Sequence, residues 1–354
     1  MYFYINNIPI YFFSEYKFFT IIQFCDFIRL SIPRFCYHHK LTIAGNCRMC
    51  MVELGNAIKP MIACATSLAF NIEIFTDSLF VKKARENVLE FLLINHPLDC
   101  PICDQAGECD LQDQSILYGS DRGRYKEMKR SVEDKELGPI VKSIMTRCIH
   151  CTRCIRYSDE VAGVKDLGMI GRGNDSEVKM TNLFFYDSEI SGNVADICPV
   201  GALTIKPYAF TARPWELKSV ETIDVLDSLH SNLKIDLKGN RILRILPKQN
   251  ESVNEDFISD FVRFSYQSVQ LVRFQYPFLL TNKLNNFSNL REIQSWEQCS
   301  EFLKYLVDTY KINVFKFLVG NQIGIFNSSL FYYYSKFFKN SSFFLENNCY
   351  NNVD

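Results

Sequence analysis

The sequence predicts an α+β protein made of small consecutive domains wrapped around clustered cysteines. Three observations carry that prediction. Short β-type alternations near the N-terminus flank one helix-like stretch. The 14 cysteines fall largely into three sets with the spacing of metal or redox sites. Pro and Gly punctuation then sets these apart from a later β-rich segment.

Bulk properties narrow the function. With 354 residues, 47% of them hydrophobic and 22% charged, the chain can bury two or three cores. The net charge of −1 and the lack of a long basic run make nucleic acid a poor partner. Three cysteines within seven residues, Cys148 to Cys154, cannot all pair with one another, so the spacing speaks for metal or redox sites in a reducing compartment and against disulfides. The most apolar early stretch, residues 11–30, is broken by Glu15, Lys17 and Asp26 and is no membrane span. Neither a secretory signal nor a transit peptide is expected. The 30 Phe and 18 Tyr, beside many Asn, Ile and Lys, resemble the bias of an A/T-rich organellar genome.

Residues 1–76 should form the first α+β domain. Residues 2–5 and 8–13 read as strands around the turn-type pair Asn6-Asn7, and Thr20 as the cap of a helix toward Leu30. Residues 51–54 and 58–62 alternate around Gly55-Asn56 as a second hairpin. Inside lies C-x10-C-x2-C-x13-C, from Cys36 through Cys47 and Cys50 to Cys64. A binuclear iron–sulfur cluster needs such a wrapping loop and one remote thiolate. Ala44, Gly45 and Asn46 suit a loop whose amides approach sulfur. A four-cysteine zinc site, or Cys47 and Cys50 as a dithiol redox pair, also fits the spacing.

Residues 77–117 should begin with a helix capped by Asp77 or Ser78 and ended by Pro97. Val81, Ala84, Val88, Leu92 and Phe91 form its apolar stripe, while Lys82, Lys83, Arg85 and Glu86 face water. Residues 96–109, H-P-L-D-C-P-I-C-D-Q-A-G-E-C, follow. His96 could simply favour the helix dipole. Cysteine arithmetic argues otherwise, because a cubane held by Cys100, Cys103 and Cys109 lacks a fourth ligand. Cys25, Cys299 and Cys349 have no clustered partners. His96 is the nearest candidate, with Asp99 as its rival.

Residues 118–216 should form the next domain, opening with polar linker. The stretch 111–142 reads as surface loop. Cys148, Cys151 and Cys154 follow as C-x2-C-x2-C. Where a two-cluster ferredoxin places its next cysteine stands Ser158, and the missing thiolate arrives at Cys198-Pro199. One cubane is expected, not two. Arg147, Arg153 and Arg156 could offset its negative charge or lie solvated at the surface. Gly168, Gly171 and Gly173 lack the order of a nucleotide loop, so flavin or nicotinamide is not expected on this chain. Residues 218–246 look like β-structure with a hairpin at Gly239-Asn240. In the aromatic and Asn-rich tail, 311–319 could be a strand and 328–338 a helix whose apolar faces need outside cover.

With these sets located, the chain resembles the large iron–sulfur subunits of respiratory complex I over residues 1–275. The connecting stretches CDLQDQS (109–115), MTRCIHCTRCIR (145–156), ISGNVADICPVGAL (190–203) and KPYAFTARPWE (206–216) add to the likeness. The resemblance implies a ferredoxin-like β-grasp domain (1–76), a helical segment whose cluster is held by one histidine and three cysteines (77–117) and a [4Fe-4S] domain (118–216). It then implies the start of a molybdopterin-oxidoreductase-like domain (217–275) and a truncated remnant (276–354). Cys36, Cys47, Cys50 and Cys64 would hold one [2Fe-2S] cluster. His96, Cys100, Cys103 and Cys109 would hold one [4Fe-4S] cluster, and Cys148, Cys151, Cys154 and Cys198 a second. Electrons would enter at the binuclear cluster from a flavin/NADH-binding subunit. They would cross the Cys148 set and leave through the His96 set toward a quinone-side iron–sulfur subunit. The chain would thus serve an NADH:ubiquinone reductase that translocates protons, with no complete active site of its own. It would sit on the matrix-side arm at the mitochondrial inner membrane (the cytoplasmic side in a bacterium), reaching the membrane only through the complex. A separate polypeptide could supply the rest of the C-terminal domain. The extra four-cysteine cubane of some relatives should be absent, since no cysteine lies between Cys198 and Cys299. The competing readings are a hydrogenase-associated diaphorase subunit and, from another class, a zinc-stabilised interaction module.

Overall fold

Tyr2–Ile5 (β1) and Ile8–Tyr11 (β2) pair antiparallel through Asn6 and Asn7, both in the left-handed region with φ of 50° and 68°. A two-residue hairpin needs that conformation, and Asn tolerates it. The structure is a computed structural model that describes residues 2–11, 16, 18–181, 185–271, 278–280, 290–292, 295–311, 316–319, 329–330, 332–333, 336 and 342–345. Helix α1, Ile21–Phe27, starts with a reciprocal cap: Gln23 N donates to Thr20 Oγ1, and Thr20 N to Gln23 Oε1. It stops short of Leu30 because Arg29 turns left-handed, with φ of 59°. Met51–Leu54 (β3), Met61–Ile62 (β4) and Glu73–Phe75 (β5) complete a sheet of order β2-β1-β5-β3-β4, with β1 and β5 parallel. The second hairpin is shorter than expected. Pro60 has no amide to donate and Ile58 is 95% exposed, so pairing is limited to residues 61–62. Phe3, Ile21, Ile22, Phe24, Val52 and Ile74 fill the core under the sheet, each worth about 1.5–3 kcal/mol of burial.

Helix α2, Leu79–Asn95, is capped by Ser78, whose Oγ accepts from Val81 N at 3.2 Å. Its buried face is Val81, Arg85 and Leu89, with Val88 and Leu92 partly covered, while Phe91 faces out. Arg85 is therefore not the water-facing residue expected. Its Nη2 donates to Met51 O at 2.9 Å and its guanidinium lies 5.5 Å from the Tyr118 ring centroid, so the buried charge is used on a strand-end carbonyl and an aromatic face. Residues 111–142 are not all loop either. Asp110–Tyr118 forms helix α3, with Asp110 and Asp113 in its first turn favouring the dipole and only Leu111 fully buried.

Val141–Ser143 (β6) pairs with Leu203–Ile205 (β9) across the third cysteine set. Between them lie Arg153–Glu160 (α4), the hairpin of Leu167–Ile170 (β7) and Glu177–Met180 (β8), and Asn193–Ile197 (α5). Leu137, Val141, Tyr157, Val194, Val200 and Leu203 make the second core. Lys218–Ile223 (β10), Asn232–Lys238 (β11) and Arg241–Pro247 (β12) form an antiparallel sheet, turning at Gly239 as expected, with φ of 61°. Asp260–Phe264 (α6) is pinned to the loop before α5: the Asp260 carboxylate accepts from Ser191 Oγ and Gly192 N, and Arg263 pairs with Asp196 at 2.5 Å.

All of this belongs to one compact unit, Met1–Ile223 with Ser231–Phe264. The other unit, Asp224–His230 with Ser265–Asp354, contains Tyr266–Leu271 (α7), the pair Phe278–Leu280 (β13) and Leu290–Glu292 (β14), Trp296–Tyr310 (α8), and the parallel pair Lys316–Val319 (β15) and Ser342–Leu345 (β16). The expected tail strand is found at 316–319. Parts of the expected 328–338 helix, and Cys349, lie outside the described residues. Among the described residues no helix is long and apolar enough to cross a membrane.

Candidate iron–sulfur sites

The first set closes as expected. Cys36, Cys50 and Cys64 are 1–2% exposed and Cys47 is half-buried. The four thiols form one hydrogen-bonded group, Cys36 with Cys47 and Cys64, and Cys50 with Cys64. Those bonds hold the Cys36 and Cys50 thiols below their ordinary range, Cys50 at about 7, and push Cys47 and Cys64 up. Arg48, inside the C-x2-C turn, and Gly45 before it both take positive φ, near 60°. The turn aims amides at sulfur: Cys36 N lies 3.4 Å from Cys47 Sγ, and the Asn46 and Ala63 amides reach Cys36 and Cys50. Cys36 and Cys47 belong to the second core, and Cys50 and Cys64 to the first, so this site sits on the seam between the two.

At the second set, Pro97 ends α2 and leaves His96 extended, with φ −67° and ψ 128°. His96, Cys100, Cys103 and Cys109 line a single cavity with Asp99, Arg147 and Gly201. Burial, then the neighbouring Lys129 and Arg147, lower the imidazole to about 4, so its neutral, ligating form prevails at neutral pH. Cys109 is the N-cap residue of α3, its Sγ donates to Pro199 O at 3.7 Å, and burial pushes its thiol to about 11. Asp99, the rival ligand, is bonded within the cavity wall: its Oδ2 accepts from Arg147 Nε at 3.2 Å. Cys100 is exposed beside Leu98 (87% exposed) and Ile102 (60%), so this site has one apolar edge open.

The third set also forms one cavity, lined by Cys148, Cys151, Cys154 and Cys198. Burial pushes all four thiols up, Cys148 and Cys151 to about 12. His150 and Thr152, both non-glycine, take φ of 54° and 62°, and His150 N reaches Cys148 Sγ at 3.4 Å. Left-handed non-glycine residues inside two cysteine turns are strain of the kind found at ligand clamps. Ser158 is fully buried and its Oγ donates to Val164 O, so it braces the fold there. Cys25 is buried in α1 and belongs to none of the sets.

Sequence reasoning left Arg147, Arg153 and Arg156 between two roles. Arg147 and Arg153 are only 3% and 7% exposed, which excludes solvated surface. Arg153 donates to Tyr37 O (2.8 Å) and Ile197 O (3.2 Å) and lies 3.8 Å from Asp110, so it touches a neighbour of a cysteine in each set. Arg156 donates to Cys36 O (2.6 Å) and Cys151 O (3.2 Å), and Asn46 Nδ2 to His150 O (3.1 Å), tying the first loop to the third.

A wall missed in the sequence joins the third set to the second. In the segment 198–203, Cys198, Val200 and Ala202 line the third cavity and Gly201 lines the second. Pro199 O accepts from Asp110 N at 3.1 Å. A β-carbon at Gly201 would lie 2.3 Å from Cys103 Sγ, so only glycine lets this turn approach that sulfur. Its signal was Gly201 three residues beyond Cys198, in the bend and turn of residues 199–202 that lead into β9.

The donor sets (four thiols, three thiols with one neutral imidazole, four thiols) suit iron–sulfur clusters. Amides aimed at sulfur and buried guanidinium groups suit their negative charge. His38, His39 and Asp256 also come within 4.8 Å of one another. Lys40 N donates to His38 Nδ1 at 3.2 Å, which places the neutral ring's proton on Nε2 and removes the lone pair a metal would need. Within that group His39 Nε2 lies 2.6 Å from Asp256 Oδ2.

Comparison with known proteins agrees. Residues 85–124 match the model for the NADH-ubiquinone oxidoreductase-G iron-sulfur binding region. Residues 138–204 match that for the ferredoxin-like domain of NADH-quinone oxidoreductase subunit 3, and 217–267 that for the NDSU1/NuoG-like 4Fe-4S domain. The NADH-ubiquinone oxidoreductase 75 kDa subunit of Reclinomonas americana is 55% identical over 316 residues, covering 86% of this chain and 46% of that protein. The subunit of the same name from Acanthamoeba castellanii is 51% identical over 342 residues (94% and 49%). The mitochondrial NADH dehydrogenase [ubiquinone] iron-sulfur protein 1 of Solanum tuberosum is 57% identical over 260 residues (73% and 35%). This chain thus spans about half, or less, of the length of these relatives. Among solved structures, a chain of an NAD+-reducing [NiFe]-hydrogenase in the H2-reduced state is similar, with a TM-score of 0.53 at 26% identity, over 60% of this chain and 90% of that one. Identity above one half and three matching family models agree that this chain belongs to the family of the 75 kDa iron–sulfur subunit of NADH–ubiquinone oxidoreductase.

Proposed function

We propose that this chain is an electron-relay subunit of a mitochondrial NADH:quinone oxidoreductase, holding one [2Fe-2S] and two [4Fe-4S] clusters. Cys36, Cys47, Cys50 and Cys64 hold the first. Cys148, Cys151, Cys154 and Cys198 hold the middle one, and His96, Cys100, Cys103 and Cys109 the last. When bound, each cluster takes up and gives away single electrons. The chain's residues set their order. Arg156 and Asn46 fasten the first loop to the third, and residues 198–203 are a wall common to the third and second sites. That shared wall is the observation that carries the reading, because it supports a path from first set to third to second.

The half-buried Cys47 marks the entry side, facing a flavin/NADH-binding subunit. Exposed Cys100, rimmed by Leu98 and Ile102, marks the exit toward a quinone-side iron–sulfur subunit. We assign 1–76, 77–117 and 118–216 to the three cluster segments and 217–275 to the start of a molybdopterin-oxidoreductase-like domain. The complex sits at the inner membrane with this chain on the matrix side. The hydrogenase likeness favours a second reading, a diaphorase-type subunit. Against it, the position of a further paired-ferredoxin cysteine is the buried, hydrogen-bonded Ser158.

The test is iron and acid-labile sulfide on the reconstituted chain, with electron paramagnetic resonance. About ten irons per chain, and a cubane signal lost in His96→Ala while the binuclear one persists, are expected. A colourless, zinc-loaded protein would refute the relay, and unchanged spectra in His96→Ala would remove that ligand.

A further inference from the structure

The geometry points to Arg147 as a positioning residue of the His96 site, not of the site of its sequence neighbours Cys148 and Cys151: it keeps Asp99 from the fourth ligand position and leaves a free N–H for the bound centre. This inference rests on the cluster assignment just given.

The chain path explains why Arg147 parts company with Cys148. Met145–Arg147 is one turn of 3-10 helix ending at Cys148. Met145 and Cys148 line the third cavity, while Arg147 lines the second. Adjacent residues of a tight turn point apart, so neighbouring positions serve different sites.

Arg147 is 3% exposed and has two of its three guanidinium nitrogens assigned: Nε donates to Asp99 Oδ2 (3.2 Å) and Nη2 to Ile102 O (3.3 Å). Nη1 is buried without a hydrogen-bond partner among the described residues. A buried charged donor left unpaired is costly, and the cavity Arg147 lines is where an anionic centre would satisfy it. The same fork settles the competition between His96 and Asp99. With its carboxylate oxygen bonded to Arg147, Asp99 is held in the wall, and the neutral imidazole is the donor left beside the three thiols. A fixed cation at this wall favours the more negative, reduced form of the centre.

The experiment is an electron paramagnetic resonance redox titration of the reconstituted full chain, wild type against R147Q and R147K. The cubane signal that His96→Ala removes should titrate at a more negative potential in R147Q. The binuclear midpoint should not move, and R147K should recover part of the shift. An unmoved midpoint in R147Q, or an equal shift of the Cys148-set cubane, would overturn the inference. If R147Q fails to hold the second cluster, the double variant R147Q/D99N should regain it, since the competing carboxylate is gone; failure to regain it would also overturn the inference. A wild-type chain without iron and sulfide would instead sink the relay reading itself.

Discussion

Gly201→Ala tests the wall between the two proposed cubane sites with one methyl group. The added carbon would sit 2.3 Å from Cys103 Sγ and 3.1 Å from Gln105 Cβ. Carbon needs about 3.5–4.0 Å from such neighbours, so something must move by more than about 1 Å. Neither side can move freely. Residues 198–203 are held by the pairing of β9 with β6 and by the Asp110 N to Pro199 O bond. The carbonyls of Cys103 and Pro101 both accept from Arg213. Overpacking of this kind costs about 1–3 kcal/mol, which a folded domain survives. A ligand sulfur displaced by about 1 Å does not keep its iron, because metal–sulfur distances hold to about 0.2 Å. G201A should therefore fold but load about six irons instead of about ten, losing the cubane signal that His96→Ala removes. Gly123→Ala is the control, since a β-carbon there meets nothing within 4 Å. Full iron and wild-type spectra in G201A would show that the approach of Gly201 to Cys103 does not constrain the site.

Three further outcomes are expected. Cys25→Ser should keep every iron, because Cys25 joins no set, yet lower the stability by about 1–3 kcal/mol for a hydroxyl in an apolar core; lost iron would return Cys25 to the ligand count. Arg244→Ala should cost about 3–5 kcal/mol in urea melts, since it leaves Asp236, 1% exposed, without its cation and frees Glu108 beside Cys109; a change under about 1 kcal/mol would contradict that. Burial raises the thiols of the third set, Cys151 to about 12, so its ligands carry their protons at neutral pH and iron must displace them. Loading of that site, followed by absorbance, should quicken as pH rises from about 7 to about 9, and a flat profile would show the thiols already ionised.

What could be read from the sequence was local. The Asn6-Asn7 turn, the Thr20 and Ser78 caps, the stop at Pro97 and the Gly239 hairpin are decided within a few residues, and the structure has each of them. The three sets could be proposed from the sequence for the same reason, since most members lie close in the chain. The structure gathers each expected set, and the expected His96 shares a cavity with Cys100, Cys103 and Cys109. The misses come from contacts distant in sequence. Arg85 carries a charge that periodicity assigns to water, but β3 offers it a carbonyl. The stretch 110–118 is too polar to show an apolar stripe, although Asp110, Asp113 and the terminal Gly119 were usable helix signals. Ile58 alternates correctly but stands beside Pro60, which ends the pairing.

Buried arginines tie the loading of these sites to the stability of the fold. Arg147 and Arg153 each have a nitrogen unpartnered among the described residues, and their carboxylate neighbours lie 3.2 Å and 3.8 Å away at partly exposed Asp99 and Asp110. In the bare polypeptide these are poorly compensated cations, an arrangement that costs folding free energy. Deprotonated thiolates around the proposed clusters would turn each of those costs into an attraction. The charge distribution of the second core is thus complementary to loaded sites, and binding there is folding free energy. A chain stripped of iron should accordingly melt well below the loaded one, with the loss centred on the second core and not on the β1–β5 sheet, whose Phe3, Ile21 and Ile74 need no metal to stay buried. Hydrogen exchange on the two forms decides it: equal protection of α4 and α5 with and without iron would mean that this core tolerates its cations unaided.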